Sequence, residues 1–207
     1  MHIPSATTDT IEVLTFADAC LHSDRSEVYD RDKWLYIPDF YSEYRYVLGT
    51  RGKNPLICIG INPSTARPEA LDNTLKSVER IALGNGFDSF TMFNVYAQRA
   101  TNPDHMEKQL NLHLHVENMK AFDFVLSQSE NPVVWAAWGA IIEKRKYLPD
   151  CVRDMIEIGK QHNARWVCAG KISKKGHPHH PLYLRKDEPV REFDIEGYIE
   201  LLTQNLK

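Results

Sequence analysis

The chain has 207 residues, 43% of them hydrophobic, and a formal net charge of -3. This length suits one domain with a large core. The net negative charge excludes a basic field over the whole protein that would attract nucleic acid, although a local basic rim would be enough to bind it. No segment approaches the roughly 20 consecutive apolar residues of a transmembrane helix.

The cysteines and the first residues favour a cytoplasmic protein. Cys20, Cys58, Cys151 and Cys168 are scattered without a CxxC pair, which is typical of reduced thiols rather than of a disulfide framework. Residues 1–10 lack a basic segment followed by an apolar one, so we expect no signal peptide.

The first fifty residues predict one helix and the edge of a sheet. Residues 11–21 favour a short helix. Residues 34–37 and 44–48 are aromatic and β-prone, and a turn-like stretch at 38–42 separates them. Together they indicate an antiparallel pair of strands.

Residues 56–65 read LICIGINPST, and the rest of the chain is organised around them. The short apolar run predicts a strand buried on both faces. The strand must end at Pro63, which cannot donate to a sheet ladder. Asn62 then lies where open α/β sheets bind ligands, with Ser64 and Thr65 beside it. The alternative is an ordinary turn with Asn62 as a turn former.

Helices and strands alternate through the remaining sequence. The predicted helices are 74–83, 112–127, 140–147, 149–161 and 194–206, and the predicted strands are 89–96, 132–138 and 165–170. Such alternation specifies a mostly parallel sheet with helices on both faces. We therefore predict one three-layer α/β/α sandwich over residues 1–207. Its parts are an N-terminal helix and edge-strand region (1–50), a core (51–185) and a C-terminal helix (186–207).

Polar clusters follow the predicted strands, so they should meet on one rim of the sheet. Asn94 lies inside the predicted apolar strand 89–96, where its amide is either a paired structural group or a reader of a nucleobase edge. Arg99 and Thr101 come next. Arg99 could hold a phosphate or carboxylate by a forked contact, or be an ordinary ion-paired arginine.

Two further features carry possible chemistry. Asp72 precedes a predicted helix and is either its cap or a water-orienting carboxylate. The loop GHPHHPLY at residues 176–183 contains His177, His179 and His180. These histidines could form a metal site, supply one catalytic histidine, or simply be a surface cluster. No GxGxxG, Walker A, HExxH or GxSxG motif is present.

In combination these motifs resemble a family of uncharacterised proteins, domain of unknown function 1643, over about residues 44–185. The motifs that carry the resemblance are NPSTA at 62–66, Asp72 with Thr74, Asn94, RAT at 99–101, AWG at 137–139 and HPLY at 180–183.

The same motifs are more distantly similar to the uracil-DNA glycosylase superfamily. The resemblance implies that Asn62 positions the attacking water, that Asn94 reads the base, and that His180 stabilises the departing base. Trp138-Gly139 resembles the Trp-Gly pair that follows the third core strand of that superfamily. Phe90 or Phe93 is then a candidate stacking ring.

The chain also departs from that superfamily. Leu182 stands where a serine usually follows His-Pro, and Ser64 to Arg67 replace a glycine or an aromatic pocket residue. No apolar wedge for DNA insertion is evident, so a free nucleoside, a nucleotide or a modified base is equally open as substrate.

The leading hypothesis is therefore hydrolysis of an N-glycosidic bond in a nucleic acid or nucleotide, without metal or organic cofactor. Asn62, His180 and Asp72 are the catalytic candidates. The substrate-binding candidates are Pro63, Ser64, Thr65, Asn94, Arg99, Thr101, Trp138, Gly139 and Tyr183. One alternative is a non-catalytic nucleotide-binding or nucleic-acid-binding module. Another is a metal-dependent hydrolase built on Asp72, His177 and His180.

Overall fold

A seven-stranded sheet runs through the protein. The computed structural model describes residues 1–205, except for the side chains of Tyr183, Gln204 and Asn205. The strands are β1 (Trp34–Ile37), β2 (Val47–Thr50), β3 (Pro55–Gly60), β4 (Ser89–Asn94), β5 (Val133–Ala136), β6 (Arg165–Ala169) and β7 (Val190–Glu192). Their order is β1-β2-β4-β3-β5-β6-β7. The four central strands are parallel, and β1, β2 and β7 extend the sheet in antiparallel pairing.

Helices cover both faces of this sheet. They are α1 (Phe16–Ser23), α2 (Asn73–Gly84), α3 (Leu112–Ser127), α4 (Leu148–Gln161) and α5 (Ile195–Asn205). One hydrophobic cluster contains α1, α3, α4 and α5, and the other contains α2. Along β3, Ile57 and Ile59 enter the first cluster and Leu56 and Cys58 the second. The continuous apolar sequence of β3 is thus explained by burial on both faces.

The predicted antiparallel pair at the sheet edge is confirmed, with Trp34 opposite Thr50. Its second strand begins later than predicted, at Val47, because Tyr44 instead makes an isolated bridge to Gln98. Strand β7 was not predicted from the sequence, since its three residues are mostly exposed and lack an apolar face.

The predicted helix at 112–127 is confirmed to the residue, and Asn111 caps it by accepting from Leu114 N. The helix predicted at 11–21 begins only at Phe16, because the Thr15 hydroxyl accepts from Asp18 N and fixes the N-terminus there. The segment predicted as a helix at 140–147 contains a 3₁₀ helix at Gly139–Lys144.

The cysteines are free thiols. Burial raises the pKa of Cys151 to about 12, so this thiol behaves as a small apolar group. Among the described residues, no helix combines the length and the apolar character that crossing a bilayer requires.

The register of the parallel strands determines where the loops meet. Gly60, the last residue of β3, pairs with Asn94, the last residue of β4, and β5 lies on the other side of β3. The segments that follow these strands therefore leave the sheet on the same rim, next to the N-terminus of α2.

We predict that Gly49→Ala destabilises the protein severely. A Cβ at position 49 would lie 2.2 Å from Phe90 O and 2.8 Å from Thr91 Cα, both main-chain atoms of β4 that cannot move aside. Urea unfolding should show a loss of more than about 3 kcal/mol, at the upper end of overpacking effects, or no folded protein. Gly84→Ala is the matched control, since a Cβ there contacts nothing within 4 Å and improves helix propensity. Equal effects of the two substitutions would contradict the packing described.

Candidate active site

A cleft of about 400 Å³ opens at the ends of β3 and β4. It is bounded by the segment after β3, the first turn of α2, the segment after β4 and the histidine-containing loop. Eight of the twelve site residues predicted from the sequence line it: Asn62, Pro63, Ser64, Thr65, Asp72, Asn94, Thr101 and His180. The structure thus brings together residues up to 118 positions apart (180 minus 62) in a single concave site.

The Asn62 side chain is fixed by main-chain carbonyl groups. Its Nδ2 donates to Ala100 O at 2.7 Å and to Pro63 O at 3.1 Å. Pro63 O also accepts from Ala100 N at 2.9 Å, which joins the segments that follow β3 and β4. Because Nδ2 is occupied, Oδ1 is the group that remains to accept a hydrogen bond from water or a ligand.

A pair of hydroxyl groups forms one wall. Ser64 Oγ and Thr101 Oγ1 lie 2.9 Å apart. Thr101 also accepts from His2 N at 2.7 Å and donates its own N–H to His2 O at 3.0 Å. The N-terminal segment therefore supports this wall.

Asn94 lies at the floor, with 1% of its surface exposed. Its hydrogen-bonding surroundings orient Nδ2 toward Asn62 O and Phe93 O, each at 3.3 Å. The main-chain carbonyl of Asn94 accepts from Asn118 Nδ2 at 3.0 Å. The side-chain amide is thus a paired structural group that also borders the cleft.

Asp72 caps α2, because its Oδ1 accepts from Leu75 N at 2.9 Å. Capping uses one carboxylate oxygen and leaves the other available to a ligand or water. Among the described residues that line the cleft, Asp72 is the only acidic one.

His180 is held in a defined tautomer. Its Nδ1 accepts from Leu182 N at 3.3 Å, so the neutral ring carries its proton on Nε2. Burial lowers the pKa of His180, as does the neighbouring His179, against an opposing effect of Asp72. The ring is therefore neutral at pH 7 and presents an N–H donor.

Two contacts position the loop that carries His180. Ser77 Oγ, on α2, donates to Pro181 O at 3.0 Å. Gly139, predicted as a substrate contact, lies outside the cleft lining and has a φ of +63°. A Cβ there would be 3.7 Å from His180 Cβ, so Gly139 forms part of the support for the loop.

Arg99 does not line the cleft, although a phosphate contact was predicted for it. It is fully buried, and its guanidinium donates to Ser64 O, to Ala66 O and to Tyr36 Oη. The guanidinium also lies 4.3 Å from the centre of the Tyr41 ring. Nη1 and Nη2 make these hydrogen bonds, whereas Nε is buried without an acceptor among the described residues. Arg99 therefore holds the segment after β3 from beneath.

The predicted aromatic contacts lie elsewhere as well. Trp138 is fully buried in the core, where its Nε1 donates to Tyr198 Oη at 3.0 Å. Phe90 and Phe93 are buried on opposite faces of the sheet. The Tyr183 side chain falls outside the described part of the structure. Apart from His180, the described residues that line the cleft include no aromatic side chain, and Met92, Ile141 and Leu182 contribute to its apolar surface.

The metal alternative required His177 to converge with Asp72 and His180. Instead, His177 is buried, with Nδ1 3.1 Å from Tyr198 Oη and Nε2 3.1 Å from Glu143 Oε1. Within residues 1–205, apart from the three undescribed side chains, no group of three potential metal ligands is found.

Sequence reasoning missed Arg45, which lines the cleft although only 1% of its surface is exposed. It was read as part of a β-prone aromatic run. A usable signal was present, since an arginine between Tyr44 and Tyr46 in such a run must find a buried acceptor.

We predict that Arg99→Met destabilises the segment after β3. Loss of Arg99 would relieve repulsion with Arg45, but hydrogen bonds to a charged donor are worth more, at about 1.5–3 kcal/mol each. Urea unfolding should show a loss of more than about 2 kcal/mol, with faster amide exchange at residues 64–66. Arg67→Met, on the exposed part of the same segment, should stay within about 0.5 kcal/mol. Unchanged exchange at residues 64–66 would argue against this role.

We also predict that His180 contributes to the pH dependence of stability. Its pKa is lowered in the folded state from an ordinary value of 6.5, so the unfolded chain takes up the proton first as pH falls. The contribution is therefore complete above pH 6.5 and is lost below it. The difference in unfolding free energy between the wild type and His180→Gln should shrink on acidification from pH 7. A difference independent of pH would show that the ring titrates normally.

A family model described as "Protein of unknown function (DUF1643)" matches residues 45–182. Searches of curated proteins and of solved structures gave no match. The matched segment covers more than half of the 207 residues and extends from Arg45 to Leu182. The chain belongs to the DUF1643 family.

Proposed function

We propose that the cleft hydrolyses an N-glycosidic bond in a nucleotide or nucleic acid. The observation that carries this proposal is the pairing of two neutral groups in one cleft. The Asn62 Oδ1 is an acceptor held by the main chain, and His180 is a neutral imidazole with its proton on Nε2. Asn62 Oδ1 can accept a hydrogen bond from a water molecule, and His180 Nε2–H can donate one to a developing anion.

The chemistry assigns a separate task to each group. As the bond between the anomeric carbon and the base nitrogen breaks, its electron pair stays on the base. Positive charge develops on the sugar. His180 Nε2–H donates to the base and stabilises the negative charge. Asn62 Oδ1 accepts from a water molecule, directing the water oxygen to the anomeric carbon.

Asp72 is the proposed acceptor of the water proton. Its cap uses Oδ1, and the carboxylate borders the same cleft as Asn62. Its negative charge also favours the cationic sugar, so one residue serves both demands. The base is proposed to lie against Asn94 and the apolar surface of Met92, Ile141 and Leu182.

The resemblance to the uracil-DNA glycosylase superfamily supports this proposal. We propose that the sheet follows a glycosylase-like topology and that the protein works in the cytoplasm. The second candidate is a binding module on the same cleft. It is favoured by the role of Asp72 as a helix cap, since a carboxylate that already accepts from Leu75 N is a weaker base.

The test is base release from nucleotides, single-stranded DNA, duplex DNA and RNA carrying normal and deaminated bases. Release should fall at least a hundredfold in Asn62→Ala and in His180→Gln, the scale on which single stabilising groups act. Free base is measured by chromatography, and the fold is checked by circular dichroism.

Asn131→Ala and His162→Gln are the matched controls. Asn131 precedes β5 at the opposite end of the sheet, and His162 follows α4, where it contacts Asp123 at 2.7 Å. Both should retain activity. No release from any substrate by folded wild-type protein, together with binding to one of them, would replace the enzyme by the binding module.

A further inference from the structure

Arg45 places a buried cation at the floor of the cleft. Only 1% of the residue is exposed, yet it is one of the residues that line the cavity. Its Nη1 donates to Ala66 O at 3.1 Å. No described residue accepts a hydrogen bond from its Nε, although that atom is fully buried. A guanidinium buried with an unused donor is expensive unless something else pairs with it.

The surroundings of Arg45 make this excess of positive charge larger. Arg99 lies next to it, and Ala66 O accepts hydrogen bonds from both guanidinium groups. Asp72 supplies the only carboxylate in the described lining of the cleft. Burial and the neighbouring charge of Arg99 lower the pKa of Arg45 to about 9, so the group remains charged at pH 7. Two cations against one carboxylate leave the floor one charge positive.

The N-terminus of α2 points to the same kind of ligand. Asn73, Thr74 and Leu75, the first three residues of this 12-residue helix, all line the cleft. The Asp72 cap accepts from Leu75 N, and the first N–H groups of a helix have no partner within it. Together with Arg45, they form the surroundings in which proteins commonly bind phosphate.

We propose that this floor is a subsite for a phosphate monoester and that the substrate is a free nucleoside monophosphate. The inference rests on the proposed function for the base and sugar, and it adds the substrate class. The phosphate accepts from Arg45 and from the amides of Asn73 and Thr74, since the Leu75 amide donates to Asp72. The base extends toward His180.

The shape of the site favours a mononucleotide over a polymer. Its volume, about 400 Å³, is within the range of small-molecule pockets. Within the part of the chain that the structure describes, Arg45 is the only lysine or arginine that lines it, and it is buried. Each phosphodiester of a nucleic acid strand is linked to a nucleotide on both sides. Such a strand is normally bound by several exposed basic residues along an open groove. A terminal phosphate ends the molecule and can enter a closed floor.

The test is calorimetric binding to adenosine, guanosine, cytidine, uridine and inosine 5′-monophosphates, each compared with its nucleoside. At least one nucleotide should bind about tenfold or more tightly than its nucleoside, the worth of one charged hydrogen bond. Arg45→Met should abolish that difference, and Arg45→Lys should restore part of it. Arg67→Gln, exposed on the neighbouring segment, should leave the difference unchanged.

A measurement on the wild-type protein tests the subsite even if the Arg45 variants fail to fold. Inorganic phosphate should shift the Arg45 Nε–Hε resonance, assigned with Arg45→Lys. Equal binding of nucleotides and nucleosides, or an unmoved resonance, would overturn the subsite. Tighter binding of an oligonucleotide without a terminal phosphate would overturn the mononucleotide assignment. Nucleotide binding that depends on Arg45, without base release, would support the phosphate subsite and contradict the proposed hydrolysis.

Discussion

Two buried guanidinium groups hold the cleft in shape. Arg99 donates to Ser64 O and Ala66 O, and Arg45 donates to the same Ala66 carbonyl. The segment after β3 therefore rests on charged donors that cannot be replaced by water, since both side chains are buried. Burying two like charges is costly, and the neighbouring Tyr41 ring and the carbonyl groups offset only part of that cost. The arrangement fixes the wall of the cleft and leaves its floor positive.

The sheet register supplies the second constraint. Gly60 pairs with Asn94 in the parallel ladder, so the chain leaves β3 and β4 at the same height. The Asn62 side chain can then bridge to Ala100 O, and its orientation follows from main-chain geometry rather than from packing of flexible side chains. An acceptor held in this way is preorganised, which is the condition for aligning a water molecule without an entropic penalty at the reaction step.

The features that could be predicted from the sequence are those that short segments determine by themselves. The helix at 112–127 has a cap and a long apolar pattern, and the rim residues follow from strand ends in a parallel sheet. Tertiary burial was not encoded locally. Arginine side chains usually lie at the protein surface, and only the folded chain shows that Arg45 and Arg99 are buried. Trp138 was assigned to the rim because it ends a predicted strand, but its ring turns into the core toward Tyr198.

The positive floor bears directly on the proposed chemistry. Cleavage of an N-glycosidic bond makes the sugar cationic, and an unneutralised Arg45 beside it would oppose that charge. Asp72 compensates one of the two guanidinium groups, which leaves the other unbalanced. In the proposed subsite, a phosphate on the substrate would remove this excess when it binds. The group that anchors the nucleotide would then also make the electrostatic field compatible with the transition state. A nucleoside would enter a cleft whose floor repels its own transition state, and discrimination would arise in the chemical step as well as in binding.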